Sequence, residues 1–170
     1  MEKLKELIST YSDFPKKGIE FKDVLGILQE PDIFKELISS MSQSNIIKKA
    51  DAIISIDARG FIFGSAISVM ASKPMIVARK PGKLPGEIFE RSYNLEYGQN
   101  SLSIQKSALQ KFNSFAIVDD LLATGGTVGC VSELVNDNGR DITGLLVVVE
   151  LLELHGRSKL ELPVESIIKF

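Results

Sequence analysis

The sequence predicts an α/β fold with a mostly parallel central sheet and helices on both faces. Three observations carry that expectation. Four short runs rich in β-branched residues are apolar throughout, longer segments of helical period lie between them, and no repeat, low-complexity tract or long linker divides the 170 residues. Strands that are apolar along their whole length are buried on both faces, which is the condition of a parallel sheet covered by helices. The chain therefore reads as one domain over residues 1–170.

The elements follow in order. Met1 to Thr10 reads as a short amphipathic helix, without the uninterrupted apolar stretch or small-residue cleavage site of a secretory signal. Residues 11 to 30 break the rhythm with the turn-rich Asp13-Phe-Pro-Lys-Lys-Gly18, which leads into Ile19-Glu-Phe-Lys-Asp23. Helices are expected over about Asp32 to Met41, Phe61 to Ala71, and Thr127 to Asn138, the last ending at Gly139. Ala52–Ile56, Met75–Ala78, Phe115–Val118 and Gly144–Val149 are the strands. Residues 79 to 98 hold Pro81, Gly82, Pro85 and Gly86 among charged neighbours, and read as neither helix nor central strand. A loop of that length inside a compact domain is expected to be functional, here as an active-site flap.

Composition excludes several classes. Twenty basic and 22 acidic residues give a formal net charge of −2, with no Lys/Arg blocks to bind nucleic acid or anionic membrane. A lone cysteine, Cys130, rules out an internal disulfide framework and fits a reducing compartment. A lone histidine, His155, rules out metal sites built from several imidazoles. No apolar run approaches the roughly 20 residues of a transmembrane helix. The expectation is a soluble cytoplasmic protein with no nucleic-acid or membrane partner, in which Cys130 packs the core and His155 is structural.

The strongest chemical signal is Ile117-Val-Asp-Asp-Leu-Leu-Ala-Thr-Gly-Gly-Thr127: an apolar strand, two adjacent carboxylates, then a small-residue turn opening a helix. Ligands of open α/β sheets bind at the carboxyl ends of strands, where this turn must lie. Ala123, Thr124, Gly125, Gly126 and Thr127 carry little bulk, so backbone N–H groups can close around a phosphate at the positive end of the helix. Asp119 and Asp120 can accept from vicinal sugar hydroxyls and orient hydrated Mg²⁺. A ribose 5-phosphate satisfies both halves. The plain alternative is a Gly-Gly turn beside two solvated aspartates. Asp57-Ala-Arg-Gly60 likewise follows a strand, and Arg59 is a forked cation suited to pyrophosphate oxygens. Arg79, Lys80 and Lys83, taken alone, read as a solvated charge run.

Val118-Asp-Asp-Leu-Leu-Ala-Thr-Gly-Gly-Thr127 resembles the phosphoribosyl-pyrophosphate (PRPP) motif of type I phosphoribosyltransferases, in the form carried by the adenine phosphoribosyltransferases. Asp13 to Asp23 resembles that family's adenine-binding stretch, and Asp57-Ala-Arg-Gly-Phe-Ile-Phe-Gly64 its pyrophosphate loop. Arg79-Lys-Pro-Gly-Lys-Leu-Pro-Gly86 with Ser92-Tyr-Asn-Leu-Glu-Tyr-Gly98 resembles its flap. Glu150 and Gly156-Arg-Ser-Lys-Leu160 continue the match, which spans nearly the whole chain. Two departures stand out. Glu20 replaces a usually aliphatic residue, and Val24-Leu-Gly26 replaces an Ile-Thr/Ser-Pro-like continuation. Strand alternation around Phe21 points Glu20 away from the base.

The resemblance implies the type I fold, with hood elements at about 1–30 and in the C-terminal segment and a flap at about 79–98. It implies Mg²⁺-dependent conversion of adenine and PRPP to AMP and pyrophosphate, by a homodimer. In site terms it puts adenine on Glu20, Phe21 and Lys22, and pyrophosphate on Ala58, Arg59, Arg79 and Lys83, with a strained peptide at Ala58-Arg59. Ribose 5-phosphate falls to Asp119, Asp120 and Ala123 to Thr127, and proton transfer to Glu96. Tyr97 shapes the closed flap. Mg²⁺ is held mainly by PRPP, with Asp119 or Asp120 contributing through water. The alternatives are a transferase for another nucleobase and a non-catalytic PRPP-sensing regulator; no basic recognition helix supports the latter.

Overall fold

The computed structural model describes residues 2–94 and 99–170. The chain opens on α1 (Glu2–Glu6), which turns Leu4 into the core. It continues into the antiparallel pair β1 (Ser9–Ser12) and β2 (Glu20–Asp23), where Tyr11 lies opposite Phe21. The turn between them is closed by the Gly18 N–H donating to Asp13 Oδ1 at 2.6 Å. A 3₁₀ turn (Leu25–Gln29) leads to α2 (Pro31–Ser42), which has its proline in the first turn, where no intrahelical N–H is lost. α3 (Asn45–Lys49) is capped by Ser44 Oγ, which accepts from the Ile46 N–H.

The alternating part follows: β3 (Ala52–Ile56), α4 (Gly60–Ala71) and β4 (Met75–Ala78). β5 (Ile88–Asn94) and β6 (Gln99–Gln105) then pair antiparallel as a separate two-stranded sheet, and α5 (Lys106–Leu109) returns the chain. β7 (Ser114–Leu122), α6 (Gly126–Asp137), β8 (Asp141–Glu150) and β9 (Val164–Lys169) complete the fold. The central sheet has the order β4-β3-β7-β8-β9, and every pairing in it is parallel. All four carboxyl ends of β3, β4, β7 and β8 therefore face the same way, and the loops after them share one rim.

Why the central strands are so apolar is visible in β3, all five of whose residues, Ser55 included, are buried. Ile53 packs with Met41, Phe63 and Ile67 from α2 and α4, while Ile54 and Ile56 pack with Val131 and Leu134 from α6. Each face has its own helical cover, as the parallel pattern requires.

The four strands and three longer helices expected from the pattern are present, β3 and β4 at the expected bounds and the others with shifted ends. β7 runs on to Leu122, so Asp119 and Asp120 lie within the strand, and α6 starts at Gly126 instead of Thr127. The helix expected over Met1 to Thr10 ends at Glu6, and Ser9 and Thr10 belong instead to β1; the pattern gives no sign of β1, α3, α5, β6 or β9. Within 79–98, expected to hold neither helix nor central strand, Ile88–Asn94 is a strand that lies outside the central sheet.

Candidate active site

Three recesses line up along the carboxyl rim of the sheet. The first, about 520 Å³, is walled by Tyr11, Phe14, Phe21, Asp23, Leu25 and Arg59. Phe14 meets Phe21 edge-on, with ring centroids 5.1 Å apart, so its floor is aromatic. The second, about 360 Å³, is bounded by Asp57, Ala58, Arg59, Asp119, Asp120 and Thr127 among others. The third is a small recess of about 90 Å³ formed by the turn from Leu121 to Val128. Arg59 is common to the first two, and Asp119, Leu121 and Thr127 to the last two.

The β2 alternation sorts its side chains as expected. Phe21 and Asp23 face the aromatic recess. Glu20 is exposed and pairs with Lys22 at 3.6 Å, while the Lys22 ammonium stands 4.7 Å from the centre of the Phe170 ring. Only the main chain of Glu20 and Lys22 is left for a ligand in this recess.

Arg59 is more committed than a free pyrophosphate fork. Its Nε donates to Asp120 Oδ2 at 2.5 Å, and its guanidinium carbon lies 5.0 Å from the Phe21 ring centre. One side chain thus joins the aromatic recess to the acidic one. Arg79 is similarly held: its Nε donates to Asp57 Oδ2 at 2.7 Å, and its guanidinium faces Phe61. Lys83 is exposed. The cis non-proline peptide is Asp57–Ala58, one residue before the position the resemblance implied; Phe14–Pro15 is also cis.

The paired carboxylates differ in surroundings. Asp120 is 5% exposed and compensated by Arg59, whereas Asp119, among the described residues, accepts only the Asp120 N–H, at 2.9 Å. Burial, and then the neighbouring Asp120 charge, push the Asp119 carboxyl well above the ordinary carboxylate range.

The phosphate turn depends on two glycines. Gly125 caps α6 with φ +83°, and a Cβ there would stand 2.8 Å from the Gly156 carbonyl oxygen. A Cβ on Gly156 would meet the Ala123 carbonyl oxygen at 2.1 Å. Two bare backbones pass each other, and a side chain on either would part them. Thr127, in the first turn of α6, exchanges a hydrogen bond of 3.1 Å with the Tyr93 hydroxyl.

Of the site residues expected from the sequence, Phe21, Ala58, Arg59, Asp119, Asp120 and Ala123 to Thr127 line the three recesses. Arg79 reaches them through Asp57, the exposed Lys83 meets Arg79 through its carbonyl at 3.3 Å, and Glu20 and Lys22 line none of the three. Glu96 and Tyr97 lie outside the described residues. Asp57, Tyr93 and Arg157 carry no role in the sequence reading, although all three stand inside the quoted motifs. Cys130 is buried, and burial pushes its thiol up to about 11, in keeping with core packing. His155 is exposed at a left-handed turn.

Comparison with known proteins extends this geometry. No family model matches the chain. An adenine phosphoribosyltransferase of Prochlorococcus marinus strain MIT 9515 is 74% identical over 168 residues, covering 99% of this chain and 98% of the relative. One from strain MIT 9312 is 67% identical over 170 residues, covering the whole of both. Among solved structures, the adenine phosphoribosyltransferase of Thermoanaerobacter pseudethanolicus gives a TM-score of 0.94 at 40% identity, covering 99% of each chain. The Saccharomyces cerevisiae enzyme, solved with adenine and D-2,5-dideoxy-2,5-imino-altritol 1,6-bisphosphate, gives 0.87 at 35% identity, covering 98% of this chain and 97% of its own. Identity at this level from end to end, on a rim that sets an aromatic recess, paired carboxylates and a phosphate-sized turn in line, leaves one conclusion: the chain belongs to the adenine phosphoribosyltransferase family.

Proposed function

We propose that this chain transfers the 5-phosphoribosyl group of PRPP to adenine, giving AMP and pyrophosphate in purine salvage. The observation that carries the reading is the row of three recesses sharing residues, an order that fits base, ribose with pyrophosphate, and 5-phosphate. Adenine lies against Phe21, with its Watson–Crick edge on the main chain of Glu20 to Lys22. Pyrophosphate lies on the backbone of Ala58 and Arg59, reached by Arg59, Arg79 and Lys83. Asp119 and Asp120 take the ribose hydroxyls, and the backbone of Ala123 to Thr127 takes the 5-phosphate.

The donor set suits Mg²⁺. Two close carboxylates, one raised by burial and repulsion, gain from a cation beside them. Among the described residues no group of three His, Cys, Asp or Glu side chains could cage a metal. Asp119 or Asp120 would therefore hold the ion through water while PRPP oxygens supply most ligands. When bound, Mg²⁺ offsets the charge of the departing pyrophosphate. The aspartates favour the positive charge that develops at C1′ as N9 of adenine approaches. Glu96, carried over from the resemblance, manages the proton of the base, and the flap at 79–98 keeps water from the activated sugar. A homodimer and a cytoplasmic location belong to the same reading; among the described residues no helix is long and apolar enough to cross a membrane.

The test is nucleotide formation from PRPP and Mg²⁺ with adenine, guanine, hypoxanthine and xanthine offered separately. Adenine presents an N6 donor beside an N1 acceptor, matching a backbone carbonyl followed by an N–H. Guanine and hypoxanthine present the reverse and would leave buried groups unpaired, for a discrimination of about 10⁴-fold. Comparable kcat/KM for guanine or hypoxanthine would remove the adenine assignment and leave the PRPP site standing.

A further inference from the structure

At the end of β8, beyond the residues proposed to touch substrate, lies an ionic cluster built on a buried carboxylate. Glu150 is 3% exposed, and Arg157 grips it with both ends of its fork, Nε to Oε1 at 2.7 Å and Nη2 to Oε2 at 2.6 Å. Ser166 on β9 donates to the same Oε2 at 2.6 Å, and Arg157 Nη1 donates to the Val164 carbonyl at 2.5 Å. This grip holds the Glu150 carboxyl down at about 2, so it stays ionised across the working range. None of these groups lines the three recesses of the rim.

The residue just before Arg157 is Gly156, whose backbone touches the phosphate turn at Ala123 and Gly125. The strand carrying Glu150 is itself registered on the turn: Glu150 pairs with Leu122, and the Leu151 N–H donates to the Leu122 carbonyl at 2.9 Å. Arg157 therefore ties three things together: the end of β8, the start of β9 and the floor under the phosphate turn.

We propose that Arg157, held by Glu150 and Ser166, is a positioning residue for the PRPP 5-phosphate, acting through Gly156 to set the height of the Ala123–Gly126 backbone. This rests on the reading of that turn as the phosphate cradle. Its geometry makes the effect selective. The cluster supports the turn at one end of the rim, whereas the aromatic recess at the other end is built from β1, β2 and Arg59 and shares no residue with it.

The test compares the wild type with Arg157→Lys, Ser166→Ala and Gly156→Ala. It measures KM for PRPP and for adenine, kcat, equilibrium binding of ribose 5-phosphate, and far-UV circular dichroism. Arg157→Lys keeps the charge but loses the fork, and Gly156→Ala disturbs the same contact with the cluster intact. Both should raise the PRPP KM and weaken ribose 5-phosphate binding by about 10-fold or more, since small displacements of a binding group are costly. The adenine KM should stay within about twofold, and a variant combining Arg157→Lys with Gly156→Ala should be no worse than Gly156→Ala alone, because both act through one contact. Should Arg157→Lys fail to fold, Ser166→Ala, which removes only the hydroxyl's bonds to Glu150 and Arg157, carries the decision with a smaller shift of the same kind. Folded variants with PRPP parameters unchanged, or with PRPP and adenine parameters moving together, overturn the proposal. A wild type that fails to bind ribose 5-phosphate at all would instead refute the cradle.

Discussion

Asp119 and Asp120 are adjacent, yet the fold treats them oppositely. Asp120 points where Arg59 can neutralise it, while Asp119 is pushed toward the neutral form by burial and by Asp120 itself. A group whose folded-state pKa lies above its unfolded value opposes folding once it ionises. The penalty sets in as the pH rises past the unfolded value and is complete above the folded one. Asp119→Asn removes it, so the unliganded variant should melt higher than the wild type at pH 8, with the gap narrowing as the pH falls, while PRPP affinity drops. An unchanged or lower melting temperature at pH 8 would contradict this account of the carboxylate pair. Phe21 offers a second check, because it touches the base recess and neither of the other two. Losing an aromatic stacking contact is worth about 1 kcal/mol beyond the area it buries, so Phe21→Ala should raise the adenine KM roughly 10-fold and leave the PRPP KM alone. At this scale the motif was legible, because residue types at strand ends betray what they can bind. Which opposite charges meet was not. Asp57 with Arg79, and Glu150 with Arg157, are pairs made by folding, and nothing in the linear string orders them.

Among the elements, legibility tracks burial. β3, β7 and β8 lie inside the sheet and announce themselves as apolar runs, as does β4, which sits at one edge and is buried at alternate residues. β9, at the other edge, reads Val-Glu-Ser-Ile-Ile-Lys and carries no such run; it is held in place partly by the Arg157 contact to Val164. β1 is exposed along its whole length, so its sequence bears no trace of a buried face. β5 and β6 form a hairpin on α6, fixed by Arg91, whose fork reaches Glu133 at 2.6 Å and also Asp137. The turn into α6 shows what an element boundary demands. Gly125 needs φ +83° and has the Gly156 carbonyl where a side chain would go. A β-branched residue there costs about 1–3 kcal/mol in backbone strain before any clash is counted. Gly125→Val should therefore weaken PRPP and AMP binding together, with adenine binding to the free enzyme little changed. Wild-type affinity for both nucleotides in that variant would show that the turn is not the cradle.

On the scale of the whole molecule, one sheet edge depends on charge. β9 joins the sheet last in sequence and pairs with β8 alone. The chain between them turns back through Gly156 and Arg157, and the Glu150 carboxylate sits at the centre of that return. Its folded-state pKa, about 2, is depressed below the ordinary value of 4.5, chiefly by the Arg157 hydrogen bonds. The sign follows directly. The stabilisation is fully present above about pH 5, where the unfolded carboxyl is also ionised, and is lost as the pH falls toward 2 and the folded carboxyl takes up its proton. Arg157 is partly open to water, with its side chain 41% exposed, so the contribution is on the order of 1–2 kcal/mol and not the full value of the shift. Urea midpoints measured from pH 7 down to pH 3 should fall for the wild type, in part through this group. Glu150→Gln should start lower at pH 7, having lost the ion pair, and decline less steeply. If the two curves stay parallel throughout, Glu150 does not couple protonation to folding, and the β8–β9 edge is held by its backbone ladder and apolar contacts alone.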